Sequence, residues 1–425
     1  MQDNPRWQRP FFLIWGGQAF SLLGSSLVQF ALVWWLTQEP GSATVLATAT
    51  LVAVLPGIVI GPFAGALVDR WSRRWVMAAA DAAIALTTAW AVMLAWNGAL
   101  QPWHVYVIMF VRATGGAFHW PAMQASTSLM VPGQHLARVA GMNQTLYGVM
   151  NIMAPPLGAL LLSLLALPWV LLIDIGTALL AILPLLVIAV PQPPARPAEA
   201  GAAPRPSMLA DLRAGLRYVW AWPGLLMLML LATVINFVLT PAFSLMPLLV
   251  VEHFQGGPWH LGGLESAFGI GVVLGGLLLS SWVCFKRRIY TSLLGLIGLG
   301  LGVTLIGLTP ATMFVLALAA MFLAGFTQPL VNGPVMAIMQ AKVAADMQGR
   351  VFTLLNAMAS AMTPLSLAVA GPVADAVGIT PWYIAGGLAC LLMASVGVFL
   401  RPVLHIEDHQ QAGVGESAAV PVEVG

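Results

Sequence analysis

Long runs of apolar residues, separated by short polar or charged breaks, extend from near residue 11 to residue 400. Most runs reach the roughly 20 residues that an α-helix needs to cross a hydrocarbon core of about 30 Å. They are continuous and lack the alternation of barrel strands, which predicts an all-α membrane protein. Breaks at Pro, Gly and charge clusters predict twelve transmembrane helices: 11–37, 45–68, 75–96, 103–128, 139–165, 168–190, 222–250, 262–284, 289–309, 312–340, 351–374 and 381–400.

A Pro- and Ala-rich stretch, PQPPARPAEAGAAPRP at 191–206, divides the predicted helices into two sets of six. Its composition cannot bury a core and suits a semi-extended linker. The tail after Arg401 is polar and weakly acidic, so we expect it to be disordered. The predicted divisions are a cytoplasmic N-terminus at 1–10, a first bundle at 11–190, a cytoplasmic linker at 191–221, a second bundle at 222–400 and a cytoplasmic tail at 401–425.

Charged residues are scarce and unevenly placed. They make up 8% of the chain, where soluble domains have roughly a quarter, and the mean hydropathy is +0.90. If the N-terminus is cytoplasmic, every Lys and Arg except Arg112 lies on that side, which follows the positive-inside rule. We therefore expect a multi-pass protein of the cell (inner) membrane with both termini in the cytoplasm. We also expect it to be a monomer.

Several classes of protein are excluded by missing patterns. The basic residues form no continuous face for nucleic acid, and the net charge is only +2. Cys284 and Cys390 lie far apart in apolar runs, and the seven histidines are scattered, so neither a disulfide nor a metal site is expected. No HExxH, GxSxG or phosphate-binding loop occurs, so neither an enzyme nor a nucleotide-driven pump is expected.

The two predicted bundles resemble each other in sequence. PAMQASTSLMVPGQHLARVAGMNQ from Pro121 runs parallel to PVMAIMQAKVAADMQGRVFTLLNA from Pro334, with Arg138 and Arg350 at matching positions. A parallel repeat of six helices is typical of a transporter whose site lies between its halves near the midplane. The alternative is a chance match between two apolar segments of low complexity.

The segment GALVDRWSRR, residues 65–74, joins the second and third predicted helices. It resembles the loop signature of the major facilitator superfamily, although Ser72 replaces the usual glycine. Gly65 permits close helix approach, and Asp69 can accept hydrogen bonds from amides at the N-terminus of the eleventh helix, near Arg350. The alternative is a topology signal, which explains the arginines but not the acid. The predicted gate latch comprises Gly65, Asp69, Arg70, Arg73 and Arg74.

Further segments are similar to the macrolide-efflux branch of the drug exporters in that superfamily. They are Ile14 to Gln18, VRATGGAFHWPAMQ at 111–124, VPGQHLARVAGMNQTL at 131–146 and MQGRVFTLLNAMASAMTPL at 347–365. The resemblance implies alternating-access antiport, in which a proton gradient rather than a cofactor drives export of amphipathic compounds such as macrolides. The alternatives are an importer, or an exporter or flippase of a siderophore, lipid or other metabolite, because fold does not fix function.

Arg112 lies near the middle of the fourth predicted helix, where a charge costs at least about 2.5–3.5 kcal/mol and must face protein or water. Its surroundings resemble a superfamily motif of that helix, with Gly115 in place of a glutamine, and the resemblance implies proton coupling. The alternative is a structural ion pair with Asp81 or Asp69.

Buried acids are the other candidates, because burial disfavours the charged form of a carboxyl group and lets it hold a proton. Glu265 is best placed beside a cavity, with a solvated structural acid as the alternative. Asp81 and Asp174 lie on helices that usually support the bundle from outside it. A lone membrane histidine is more often a packing residue, and Asp375 is interpreted as a helix-end residue. The proton-coupling candidates are Arg112, Glu265, Asp81, Asp174 and His119.

The predicted substrate cavity lies among the first, fourth, seventh and tenth helices and their neighbours. Polar groups among apolar side chains there suit a large amphipathic ligand. The candidates are Gln18, Gln29, Asn143, Gln144, Tyr147, Asn236, Gln328, Asn332 and Asn356. Their alternative role is hydrogen bonding between helices. A kink that lets the fifth helix bend is predicted at Gly148, Pro155, Pro156 and Gly158.

Overall fold

The computed structural model describes residues 7–39, 41–68, 70–191, 208–281, 285–344 and 347–408, and all regular secondary structure in these ranges is helical. The first half comprises α1 (Gln8–Gln38), α2 (Ala43–Val68), α3 (Arg73–Trp96), α4 (Pro102–Met130), α5 (Leu136–Leu164) and α6 (Leu167–Val187). The second half comprises α7 (Met208–Ala221), α8 (Pro223–Ser244), α9 (Met246–Glu252), α10 (Pro258–Ser281), α11 (Arg288–Leu308), α12 (Phe314–Lys342), α13 (Gln348–Val377), α14 (Thr380–Phe399) and α15 (Arg401–Leu404).

Twelve of the described helices have at least 20 residues, six in each half. Eleven of them are long and apolar enough to cross a membrane. The twelfth, α4, has a lower mean hydropathy because it contains Arg112, His119 and other polar residues, but its 29 residues are enough to cross. The prediction of an all-α membrane protein with two six-helix bundles is confirmed.

The predicted linker at 191–221 needs correction, because it contains α7. This helix packs on α13, where Gly215 contacts Arg350, and the Tyr218 hydroxyl accepts a hydrogen bond from the Ala344 amide at 3.2 Å. The second part of the predicted linker is therefore a helix that packs on the second half. Residues 192–207 lie outside the described ranges.

Two further boundaries differ from the prediction. The helix expected at 222–250 is interrupted at Leu245, because Pro247 in the first turn of α9 cannot donate to the α8 ladder. The tail, which the sequence predicts to be disordered, is ordered from Arg401 to Asp408. Arg287 Nη2 lies 3.0 Å from Asp408 Oδ2, and Arg287 Nη1 donates to the Leu404 carbonyl at 3.0 Å. Residues 409–425 lie outside the described part of the chain.

The two halves meet at one end of the bundle. We call the end that carries loops 70–72 and 285–287 the basic end, and the end that carries loops 97–101 and 253–257 the opposite end. Near the opposite end α13 packs on α2, and α10 packs on α5. A Cβ added at Gly262 would lie only 3.0 Å from the carbonyl oxygen of Pro155.

The two halves part at the basic end. Gly65 of α2, Gly141 of α5 and Gly349 of α13 lie near this end, and a Cβ added at any of them would have no described atom within 4 Å. These three glycines could permit close helix approach but have no described neighbour there, whereas Gly262 at the opposite end packs against the other half. Among the residues that the structure describes, the bundle is therefore open at the basic end and closed at the opposite end.

Glycines also bring α10 and α12 together within the second half. Gly271 and Gly275 of α10 lie against the backbone of Phe322 and Phe326. Because no Cβ intervenes, the two backbones approach closely, and van der Waals contact holds the helices where lipid offers no hydrophobic driving force.

Replacing Gly275 with valine should separate α10 from α12, because the new side chain would overlap the carbonyl oxygen of Phe326. We expect this overpacking to cost about 2 kcal/mol of stability, measured as a lower midpoint in thermal unfolding of the detergent-solubilised protein. Gly276→Val is the matched control, since a Cβ at Gly276 has no described atom within 4 Å. Equal midpoints for the two variants would contradict the assigned contact.

Candidate transport site

A cavity of about 590 Å³ lies mainly among α1, α4 and α5. The second half contributes Leu261 and Glu265 of α10 to its wall. Four predicted cavity residues line it: Gln18, Gln29, Asn143 and Tyr147. Asn151 lines it as well and was missed, although it follows Asn143 and Tyr147 at the four-residue spacing of one helix face.

The other five predicted cavity residues do not line it: Gln144, Asn236, Gln328, Asn332 and Asn356. Gln144 is rotated away from Asn143 by one helical step of about 100°. Asn236 donates to the Ala232 carbonyl of its own helix at 2.8 Å. The last three belong to α12 and α13 of the second half, whose contribution to this cavity comes from α10.

The guanidinium of Arg112 forms a buried ion pair with Asp174. Its Nη1 lies 2.7 Å from Asp174 Oδ2 and 3.3 Å from Thr88 Oγ1, and its Nη2 donates to the Ser25 carbonyl at 2.9 Å. The hydroxyls of Thr88 and Ser25 donate to the same carboxylate, at 3.0 and 3.2 Å. The two charged side chains are only 9% and 1% exposed. This cluster joins α1, α3, α4 and α6.

Asp81 forms a separate polar cluster on the cavity wall. Its carboxylate accepts a hydrogen bond from Gln18 Nε2 at 3.0 Å and lies 3.7 Å from His119 Nε2. Asp81 is therefore engaged elsewhere and does not pair with Arg112. The other expected partner of Arg112, Asp69, lies outside the described residues.

Glu265 differs from the other acids of the site. It lines the cavity from α10 and forms no hydrogen bond or ion pair with any residue that the structure describes. Glu265 is partly buried, and an unpaired carboxylate with reduced access to water is costly. A proton or a cationic group in the cavity would relieve that cost.

Two arginines of the predicted gate latch contact other helices of the first half in this conformation. Arg73 donates to the Ala125 carbonyl of α4 at 2.8 Å, and Arg74 donates to the Leu186 carbonyl near the end of α6. A cation near a helix C-terminus is favourable, so these contacts fasten the loop to its own half. Arg70 is exposed, and Gly65 faces open space rather than a neighbouring helix.

The predicted kink residues lie within a continuous α5. Gly158 packs against the ring of Phe30 in α1, whereas Gly148 faces open space. Pro155 and Pro156 lie inside the helix, and the Pro155 carbonyl contacts α10. Bending of α5 stays a prediction, because these contacts describe one conformation.

A membrane bundle of two six-helix halves, with a cavity open towards one end and polar clusters on its wall, defines the chain as a membrane transporter. The Major Facilitator Superfamily model matches residues 14–367. The chain belongs to the Major Facilitator Superfamily. It is a transporter and not an enzyme.

Efflux proteins are among its relatives. The chain is 32% identical over 407 residues to macrolide efflux protein A of Streptococcus pyogenes, covering 96% of this chain and 100% of that protein. It is 30% identical over 405 residues to the multidrug efflux pump Tap of Mycolicibacterium fortuitum, covering 92% and 95%. The crystal structure of a bacterial homologue of the human lysosomal transporter Spinster, inward-facing and unoccupied, shares the fold with a TM-score of 0.71 at 15% identity, covering 97% of this chain and 100% of that one.

Breaking the Arg112–Asp174 pair from either side should destabilise the protein. Arg112→Met or Asp174→Leu leaves the other charge buried and unpaired, at a cost of about 3–5 kcal/mol. The double variant removes both charges and should recover most of that loss. Thermal unfolding in detergent measures all three, and a double variant no more stable than the single ones would contradict the assigned pair.

Proposed function

We propose that the chain exports amphipathic drugs, macrolides among them, by proton antiport through alternating access. Two relatives that are 32% and 30% identical to the chain are named as a macrolide efflux protein and a multidrug efflux pump, and these names support this substrate class. The cavity supports it by its chemistry, since its wall mixes aromatic, methionine and amide side chains and its roughly 590 Å³ suits a drug-sized ligand. The observation that carries the proposal is the unpaired Glu265 in that wall.

In this proposal the basic end faces the cytoplasm of a monomer in the cell (inner) membrane, in agreement with the positive-inside rule. The first helix begins near that end, at Gln8, and the chain returns to it after α14. Both termini are then cytoplasmic. The open cavity faces the cell interior, as the loading state of an exporter requires.

Glu265 carries the coupling proton in this scheme. Because Glu265 lines the cavity, substrate and proton both reach its carboxyl group, and binding of one opposes binding of the other. Asp81, beside His119, is the second proton candidate on the same wall. Arg112 and Asp174 satisfy each other and act as a structural support of α1 and α4, through which they affect coupling indirectly.

The predicted gate residue Asp69 acts in the conformation in which the basic end is closed. Closure of the basic end would bring α2 to the N-terminus of α13, where a carboxylate is favourable. Arg73 and Arg74 would keep the loop in position on the first half during that movement. This latch stays a prediction, because Asp69 lies outside the described residues.

Cells without their own drug pumps should accumulate less macrolide or dye when they express the chain, and a protonophore should abolish the difference. Glu265→Gln should abolish most of the export yet fold normally, because this acid has no described partner to lose. Glu39→Gln is the matched control, since it removes an exposed acid at the end of α1.

Accumulation that is indifferent to the protein would contradict drug export and favour a siderophore, lipid or other metabolite as cargo. Export that survives the protonophore would contradict proton antiport. Export that survives Glu265→Gln but not the protonophore would move the proton site to Asp81 and His119.

A further inference from the structure

Asp375, near the end of α13, reaches across to the other half and caps the N-terminus of α2. Its carboxylate accepts hydrogen bonds from the Ala43 amide at 2.6 Å and the Thr44 amide at 3.1 Å. It also accepts from the hydroxyls of Ser42 at 3.0 Å and Thr44 at 2.5 Å. The first amides of a helix have no partner within the helix, and here an acid more than 300 residues away in sequence supplies one.

The position of Asp375 is unfavourable within its own helix. It lies in the last turn of α13, where the negative end of the helix dipole opposes an acid. The positive end of α2 more than compensates, because a carboxylate there gains both the dipole and charge-assisted hydrogen bonds. The acid therefore gains these contacts with α2 only while the two halves touch.

Gly371 makes that contact possible. A Cβ at this position would lie 3.0 Å from Thr44 Cα and 3.2 Å from Ala47 Cβ, so any larger residue would push α13 away from α2. Gly371 and Asp375, in GPVAD, have the spacing of Gly65 and Asp69, in GALVD. The same short sequence pattern thus occurs at the end of α13, at the closed end, and from Gly65 of α2, at the open end, where a Cβ added at Gly65 would have no described atom within 4 Å.

We propose that Asp375 is a positioning residue of transport, which holds the opposite end closed while the cavity is open at the basic end. Its release from α2 lets the opposite end open. This inference rests on the proposed alternating access but not on the identity of the substrate or on proton coupling.

Glu252 provides a matched control for charge alone. Burial raises the pKa of its carboxyl, and the charge of nearby Asp375 raises it further. Glu252 is thus a second acid of the same region, yet the structure gives it no hydrogen bond to α2 among the described residues. A general effect of negative charge at this end would depend on both acids, whereas the cap depends on Asp375.

The test measures opening at the opposite end directly. Ala47 is 3% exposed and faces Gly371, so an Ala47→Cys reporter is shielded while the end is closed. In a full-length chain with Cys284 and Cys390 replaced by alanine, we would measure the rate at which a membrane-impermeant maleimide labels this cysteine in intact cells. Asp375→Ala should raise that rate about fivefold, the size expected from losing one helix cap. Glu252→Gln should leave it unchanged.

Ser42→Ala with Thr44→Val removes the two hydroxyl donors and should raise the rate in the same direction by a smaller factor. If Asp375→Ala does not fold, this double variant tests the proposal in its place. Adding Asp375→Ala to this double variant should raise the labelling rate by a smaller factor than Asp375→Ala does in the chain that keeps Ser42 and Thr44. An unchanged rate in the folded variants, or an equal rise with Glu252→Gln, would overturn the proposal. If the labelling rates change as expected but the chain exports no drug, the proposal for Asp375 stands and only the proposed substrate is refuted.

Discussion

Hydrocarbon offers no hydrogen-bond partner, and this constraint decides where charged groups lie in the helices of the first half. Arg112 satisfies this constraint because its guanidinium donates hydrogen bonds to Asp174 of α6, Thr88 of α3 and the Ser25 carbonyl of α1. Four helices are thereby fixed to one another by groups that cannot separate without leaving a buried charge unpaired. Because α1 and α4 also line the cavity, the cluster fixes its wall as well.

The second half is held together by different means. Its long helices approach through glycines, as at Gly275 of α10 against Phe326 of α12. The same device connects the halves, since Gly262 and Gly269 of α10 both pack against α5. Glu265 lies between these two glycines in sequence. Close packing of α10 on α5 is therefore what brings an acid of the apolar half to the polar cavity of the other.

Sequence reasoning finds the long helices because hydropathy alone requires them, and it finds Arg112 because a charge in such a run is conspicuous. It does not find the partner of Arg112, since pairing depends on how four helices are rotated about their axes. The order of α7 depends on contacts with α13 that composition does not reveal. Asp375 resembles an ordinary helix-end residue until the tertiary structure places α2 beside it.

The sizes of these interactions indicate which contacts yield during transport. Leaving one partner of a buried ion pair such as Arg112–Asp174 without the other costs about 3–5 kcal/mol, so we expect this pair to stay intact during conformational exchange. A helix cap costs about 1 kcal/mol to lose, and Asp375 is exposed, so that water can replace its partners. Conformational states that interconvert readily differ by only a few kcal/mol. In the proposed alternating access we therefore expect movement between the halves rather than within them, with the exposed polar contacts at the ends breaking and forming.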